Sequence, residues 1–257
     1  MKKHVIEAPV LENVPISGSS DGIYRMVLHA QLLAIKAQPG QCVMVMKPND
    51  QATFLRRPFG IADADPAAGT ITIIYRLVGR GTRAFTKMKQ GELLSVEGPI
   101  GHGFTLREGR QLLVGGGLGI APLIFLAKSL PEKPLFLIGG RNEKEIFWKD
   151  LLAPLAEKIY VTTDDGSFGT KGFTTTLLPD VLEKEQPAGV VTCGPTIMMK
   201  GIAEIVKASG LPCEVSLEKR MACGIGVCLG CTFETTAGTR KKVCVDGPVF
   251  PAEEVFA

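Results

Sequence analysis

Cys223, Cys228, Cys231 and Cys244 stand near the C-terminus with four, two and twelve residues between them, in the run Cys223-Gly-Ile-Gly-Val-Cys228-Leu-Gly-Cys231 followed by a lone fourth cysteine. Four thiolates at this spacing can enclose a two-iron, two-sulfur cluster, so the chain is expected to carry electrons one at a time. Gly224, Gly226 and Gly230 suit that chemistry, because backbone amides without a neighbouring Cβ approach the cluster sulfurs closely. A structural zinc site also takes four thiolates, but such sites usually pair two short chelates. A thioredoxin-like redox pair wants its cysteines at the start of a helix, and this glycine-rich stretch reads as a loop.

A second constellation points to a nucleotide. Val114-Gly-Gly-Gly-Leu-Gly-Ile-Ala-Pro122 follows an apolar run and opens a helical one, where a pyrophosphate meets helix-terminal amides. Gly115, Gly117 and Gly119 remove steric obstruction, and Pro122, standing where a Rossmann fingerprint has its third glycine, suits a first helical turn. A glycine-rich turn alone is weak, and a purely structural turn is its alternative. Cys193-Gly194-Pro195 adds weight: it ends a later strand, where open α/β sheets bind ligands, and Pro195 is expected to start the next helix. The acidic residue that would hold an NAD ribose ~20 residues after the glycines is missing. Gly139-Gly140-Arg141 occupies that place, and Arg141 suits either an NADP 2′-phosphate or the adenine and pyrophosphate edge, so the choice between NAD and NADP stays open.

Arg56-Arg57-Pro58-Phe59-Gly60 sets a proline of fixed φ beside two guanidinium groups, which suits a diphosphate next to a flat ring. Gly79-Arg80-Gly81-Thr82 precedes a short helical run to Lys89, which Thr82 is expected to cap. Two anion sites so close suggest one dinucleotide spanning both.

These groups need a scaffold. Short β-type runs at Tyr24–His29, Gln41–Met46 and Thr70–Val78, separated by Gly, Pro and Asp turns, predict a small antiparallel barrel. Apolar strands near Leu112–Val114, Leu135–Ile138, Lys158–Thr162, Val190–Cys193 and Glu214–Leu217 alternate with helical stretches, which predicts a parallel α/β sheet. Asn142 with Glu145 reads as an N-terminal capping pair, and Gly210 closes the helix that starts near Thr196. The last forty or so residues lack long periodic runs and are organised around the cysteines.

Composition excludes several classes. With 257 residues, 45% hydrophobic and 21% charged, the chain can bury one or two sizeable cores. A net charge of +3 is too mild to imply nucleic acid or an anionic membrane as partner. The uncharged run Leu112 to Ala127 falls short of the ~20 residues of a membrane span and contains Pro122, so it reads as strand, turn and helix. Beyond the four grouped cysteines, Cys42, Cys193 and Cys213 are scattered in apolar contexts, which makes a disulfide framework improbable and a reducing cytoplasm the expected location. No apolar h-region follows Met1-Lys2-Lys3.

Taken together, the sequence resembles the ferredoxin reductase superfamily, and within it the electron-transfer subunits of NAD-linked (class 1B) dihydroorotate dehydrogenases. The resemblance is carried by Leu55–Ile61, Tyr75–Thr82, Gly98–Phe104, the Gly115–Pro122 turn, Cys193–Pro195, the cysteine loop and Val243–Phe250. It implies a multi-domain β plus α/β fold: an antiparallel FAD-binding β-barrel over 1–103, a parallel-sheet NAD-binding domain over 104–213 and a small [2Fe-2S] module over 214–257. It also implies FAD held by Arg57, Pro58, Phe59 and Gly60, by Ile74, Tyr75 and Arg76, and by Gly81 and Thr82, with Cys223, Cys228, Cys231 and Cys244 ligating the cluster. Members of the family often have serine where this chain has Gly60, so a backbone amide must serve the flavin there.

The implied activity is electron transfer from the FMN of a separate catalytic subunit through the cluster and FAD to NAD⁺, in pyrimidine (UMP) biosynthesis, by an assembly with two copies of each subunit. Hydride exchange moves two electrons and the cluster one, so a flavin must join them. No strong acid or base is required of the chain, and His4, His29 and His102 are poor catalytic candidates. The alternative is the small subunit of a ferredoxin:NADP reductase or sulfide dehydrogenase complex, although such subunits often have an aspartate among the cluster ligands. A zinc-stabilised interaction protein is the non-enzymatic alternative.

Overall fold

The structure is a computed structural model that describes residues 4–16, 18, 22–49 and 53–256. It divides into two compact units. One comprises residues 1–103, 218–233 and 241–248, and the other residues 104–217, 234–240 and 249–257.

The first unit is built on a closed six-stranded antiparallel barrel. Its strands are β1 (His4–Pro15), β2 (Ile23–His29), β3 (Cys42–Met46), β4 (Arg57–Asp65), β5 (Thr70–Arg76) and β6 (Leu93–Ile100), ordered β1-β2-β5-β4-β3-β6. Closure leaves no free sheet edge. Along β2 and β5 the inward residues Ile23, Met26, Leu28, Ile71 and Ile73 are buried, and they form the core with Val10, Val43, Val45 and Val96. Register shifts at Val10/Glu12, Cys42/Met44 and Ile61/Asp63 bend the strands as closure requires.

Two helical turns attend the barrel: α1 (Gln31–Lys36) and α2 (Arg80–Phe85). Asn13 ties α2 down, its Nδ2 donating to the carbonyls of Phe85 at 2.8 Å and Met88 at 3.1 Å while its Oδ1 accepts from the Tyr75 hydroxyl at 2.9 Å. Tyr75 is fully buried, packed face to face with Tyr24 and edge-on to Phe85.

The second unit holds a sheet of six parallel strands and one antiparallel strand. β7 (Gln111–Gly116), β8 (Leu135–Gly140), β9 (Lys158–Thr163), β10 (Thr170–Lys171), β11 (Gly189–Cys193) and β12 (Cys213–Ser216) lie in the order β10-β9-β8-β7-β11-β12, and Val249–Pro251 closes the edge antiparallel to β12. Strand order reverses between β7 and β11, the crevice where open parallel sheets receive ligands. The helices are α3 (Ile120–Ser129), α4 (Trp148–Leu152), α5 (Thr174–Glu185) and α6 (Thr196–Ala208). Ile120 to Ala127 of α3 are all buried, which accounts for the uncharged run from Leu112. Among the described residues no helix is long and apolar enough to cross a membrane.

Far from the strand C-termini, Glu185 gathers three groups. Its carboxylate accepts from Lys158 Nζ at 2.9 Å and from the Tyr160 hydroxyl, and lies 3.2 Å from Arg110 Nη2. The hydrogen bonds from Tyr160 and then Lys158 draw its carboxyl down to about 2.

Three local expectations need correction. Asn142 caps only the 3₁₀ turn Glu143–Glu145, accepting from the Lys144 amide at 3.1 Å, and Glu145 reaches past it to the Arg141 amide. Thr82 is not the N-cap of α2: it sits one turn in and its Oγ1 accepts from the amides of Val78 at 2.9 Å and Gly79 at 3.1 Å. Pro195 is the N-cap of α6 and the helix begins at Thr196.

Candidate functional site

The cysteine loop lies within the first unit. A Cβ at Gly224 would stand 2.9 Å from Met44 Cγ and 3.0 Å from Ile100 Cδ1, so the loop rests on β3 and β6 through a residue that has no room for a side chain. Gly224 and Gly226 both have positive φ (66° and 82°), and a Cβ at Gly226 would meet Val245 Cγ2 at 2.6 Å, in the short helix Val243–Asp246 that carries Cys244. Leu229 takes the same left-handed backbone at φ 60° with a full side chain, a strain common where a loop is shaped for a ligand.

The four thiols are brought together as two pairs. The Cys228 amide donates to Cys223 Sγ at 3.5 Å, and the Cys244 amide donates to Cys231 Sγ at 3.5 Å. Cys231 and Cys244 are buried, Cys223 is half-buried and Cys228 exposed. Burial pushes the Cys223 thiol up, but hydrogen bonds from the amides of Cys228, Ile225 and Val227 outweigh it and lower it to about 6. Cys244, with burial and Cys231 acting in the same direction, is pushed up to about 11. Among the described residues no three His, Cys, Asp or Glu side chains gather closely enough to hold a single metal ion. Amides aimed at sulfur and two thiol pairs nonetheless suit a diiron cluster, in which each iron takes two protein thiolates.

At the barrel, the Arg57–Gly60 segment opens β4, Ile74–Arg76 end the neighbouring β5, and Gly81 and Thr82 lie in α2 just beyond. The Arg57 guanidinium lies against Gly81, where any Cβ would collide with it, and donates to the carbonyls of Thr53 at 2.8 Å and Leu55. A cation held over a glycine suits an anion. Phe59 packs its ring at 5.9 Å from both Tyr75 and Phe85. Tyr75 is fully buried and its hydroxyl is taken by Asn13, so its side chain is committed to the barrel interior.

Arg56 behaves differently from its neighbour. Its guanidinium donates to the Ser95 carbonyl at 2.9 Å and Ser95 Oγ at 3.0 Å and lies 3.5 Å from Glu97, so it joins β6 and does not form a second phosphate contact beside Arg57. Nothing local in the sequence signals this partnership, which spans about forty residues.

In the second unit, Gly115–Pro122 and Cys193–Pro195 leave adjacent strands at the switch point. Each glycine has its own task. A Cβ at Gly119 would lie 2.5 Å from the Cys193 carbonyl oxygen, one at Gly116 would lie 2.8 Å from Met198 Sδ, and one at Gly115 would lie 2.6 Å from Ile120 Cγ1. Gly117, at φ 56°, has nothing within 4 Å of its Cβ position, so its identity is set by conformation and it leaves bare backbone uncovered. Pro122 sits in the buried first turn of α3, and a Cβ at Gly194 would lie 3.0 Å from the Gly116 carbonyl oxygen. Cys193 is buried.

His4 bonds through Nε2 to Lys36 Nζ at 2.7 Å, and His102 is exposed with its amide donating to the Gly247 carbonyl at 2.6 Å. Sequence reasoning missed the link between Arg141 and Glu145, whose signal was their spacing of four.

Comparison with known proteins agrees with these parts. Residues 7–104 match a family model described as the oxidoreductase FAD-binding domain, and residues 218–256 match the iron-sulfur cluster binding domain of dihydroorotate dehydrogenase B. The chain is 39% identical over 98% of its length, and 98% of the relative's, to the dihydroorotate dehydrogenase B (NAD(+)) electron transfer subunit of Caldanaerobacter subterraneus subsp. tengcongensis. It is 40% identical to that of Bacillus velezensis over 92% of this chain and 94% of the relative. Among solved structures, an NADH-dependent reduced ferredoxin-NADP oxidoreductase shares 32% identity and a TM-score of 0.85 over 96% of this chain and 89% of its own. A ferredoxin NADP+ reductase from Neisseria gonorrhoeae shares the fold at a TM-score of 0.63 and 17% identity, covering 80% of this chain and 92% of its own. With an FAD-type barrel, a glycine-lined switch point, paired thiols and near full-length identity to those relatives, the chain belongs to the family of electron transfer subunits of NAD(+)-linked dihydroorotate dehydrogenase B.

Proposed function

We propose that this chain carries electrons from a catalytic partner subunit, in which FMN oxidises dihydroorotate, to NAD⁺ in pyrimidine biosynthesis. The observation that carries the reading is 39% identity over 98% of both chains to a subunit of that name. When bound, the [2Fe-2S] cluster supplies one-electron transfer, FAD the exchange between single electrons and pairs, and NAD⁺ a hydride acceptor.

The chain's own residues hold and orient these groups. Arg57 over Gly81 would take the FAD diphosphate, with Pro58, Phe59 and Gly60 and the strand end Ile74, Tyr75 and Arg76 framing the site and Thr82 bracing the turn. Gly117 admits the NAD⁺ pyrophosphate, Gly115, Gly119 and Pro122 set the shape of that turn, and Cys193-Gly194-Pro195 lines the crevice. Cys223 and Cys228, joined by an amide-to-sulfur bond, and Cys231 and Cys244, joined likewise, would hold the cluster. Ile225, Val227 and Leu229 are exposed around Cys228 and form an apolar collar suited to burial by the partner. We assign the complex two copies of each subunit and a cytoplasmic location.

The test is to recover the tagged chain from its host with whatever binds it and to measure dihydroorotate-dependent NAD⁺ reduction without oxygen. Activity that disappears when the FMN protein is stripped supports the reading. The 32% identity to the NADH-dependent ferredoxin-NADP oxidoreductase favours a second reading, the small subunit of a flavin and iron–sulfur complex of that type. A coloured preparation active only with NADPH and ferredoxin would establish it instead.

A further inference from the structure

Arg141 directly follows β8, at the C-terminal edge of the parallel sheet where such folds take their ligand. A free guanidinium there would suit a ribose 2′-phosphate. This one is engaged. Glu145 accepts from the Arg141 amide at 2.8 Å through Oε2 and from Arg141 Nε at 2.6 Å through Oε1, and Nη2 closes on the same Oε1. The Glu145 side chain is 16% exposed and that of Arg141 70%, so the carboxylate is the fixed member and draws the guanidinium down. Gly140 makes room, since a Cβ there would lie 3.0 Å from Glu145 Cβ.

The neighbouring loop adds negative charge. The amides of Asp164 and Asp165 donate to the carbonyls of Gly140 at 3.1 Å and Arg141 at 3.3 Å, which places both acidic residues beside this edge. Asp165 Oδ1 accepts from the Ser167 amide and hydroxyl at 2.9 Å and 2.6 Å, while the Asp164 side chain is exposed. Lys144 and Lys171 are the other cations of these loops, and both are exposed.

We propose that Glu145 is a specificity-determining residue: by pairing with Arg141 it withholds that guanidinium from phosphate and reserves the site for a dinucleotide with a free ribose 2′-hydroxyl. The proposal rests on reading the β7/β11 switch point as the NAD⁺ site. A 2′-phosphate, with its charge of about −1.5 to −2, would have to displace the Glu145 carboxylate and then sit beside Asp164.

The test uses the full chain loaded with FAD and compares anaerobic flavin reduction by NADH and by NADPH. Glu145→Ala should shift the ratio toward NADPH about tenfold, the size of one charge-assisted hydrogen bond. Glu145→Gln should shift it in the same direction while keeping an acceptor for the Arg141 amide, which guards against a mere folding defect. The double variant Arg141→Ala/Glu145→Ala should lose the gain. An unchanged ratio in both single variants with NADH reduction intact, or a gain that persists in the double variant, overturns the proposal. Failure of NADH to reduce the unsubstituted chain overturns the underlying NAD⁺ reading as well, and is told apart because it needs no substitution.

Discussion

Gly119 and Cys193 touch backbone to backbone: a Cβ on the first would stand 2.5 Å from the carbonyl oxygen of the second. Gly119 has an ordinary helical φ of −60°, so its identity is set by space and not by conformation. Gly119→Ala must therefore part the two turns that flank the switch point. The expected cost is ~1–3 kcal/mol of stability. NADH-driven flavin reduction should slow while flavin and cluster content hold steady, as stopped-flow absorbance and metal analysis would read.

The two adjacent arginines should separate in their effects. Arg57→Ala removes the guanidinium over Gly81 and should weaken FAD binding by ~1.5–3 kcal/mol, roughly ten- to a hundredfold in Kd. Arg56→Ala leaves Glu97, whose side chain is 9% exposed, without its cation. It should cost about 3 kcal/mol in denaturant unfolding, with flavin affinity nearly unchanged. Isothermal titration of the flavin-free protein, set beside urea unfolding, distinguishes the two; equal loss of flavin in both variants would refute the division of labour.

Cys228→Ser keeps the amide that donates to Cys223 Sγ and removes only one exposed thiol. Cluster absorbance and iron content should fall away while FAD stays bound and NADH still reduces it. Electron delivery from the partner should stop. Persistent dihydroorotate-dependent NAD⁺ reduction in a cluster-free variant would sink the route.

Glu185 governs an acid-sensitive contribution. Its folded carboxyl titrates at about 2, below its ordinary 4.5, so the stabilisation is complete above the ordinary value and is lost as pH falls toward the lower one. Glu185→Gln should lower the urea midpoint at about pH 6. The gap between variant and parent should close as pH falls from 4.5 toward 2. A gap independent of pH would mean that packing, and not charge, is what Glu185 supplies.

The parallel strands were legible because burial on both faces leaves unbroken apolar runs, as at Leu112–Val114 and Leu135–Ile138. β1 was harder to see, since Glu7, Pro9 and Pro15 interrupt its pattern, and only pairing with β2 and β6 makes it a strand. The Arg57-Pro58-Phe59-Gly60 segment reads locally as a turn, yet it is paired with β3 from Val45 to Cys42; a proline is tolerated this close to the start of a strand. The cysteine spacing announced a cluster, but the grouping of its thiols into two pairs depends on Cys244 arriving by a separate path. Charged partnerships were the least visible: Arg56 finds Glu97 across the sheet, and Glu145 bypasses the expected cap to reach Arg141.

The chain's last forty residues alternate between its two compact units, giving 218–233 and 241–248 to one and 234–240 and 249–257 to the other. A ribosome that has released everything up to Leu217 has therefore completed neither. The parallel sheet still lacks its edge strand Val249–Pro251, and the barrel still lacks the cysteine loop that rests on it at Gly224. Both units draw on this one stretch of chain, so assembly of the metal centre and completion of the parallel sheet fall close together in synthesis. A premature stop in this segment leaves two incomplete bodies where a shorter appended domain would have left two intact ones.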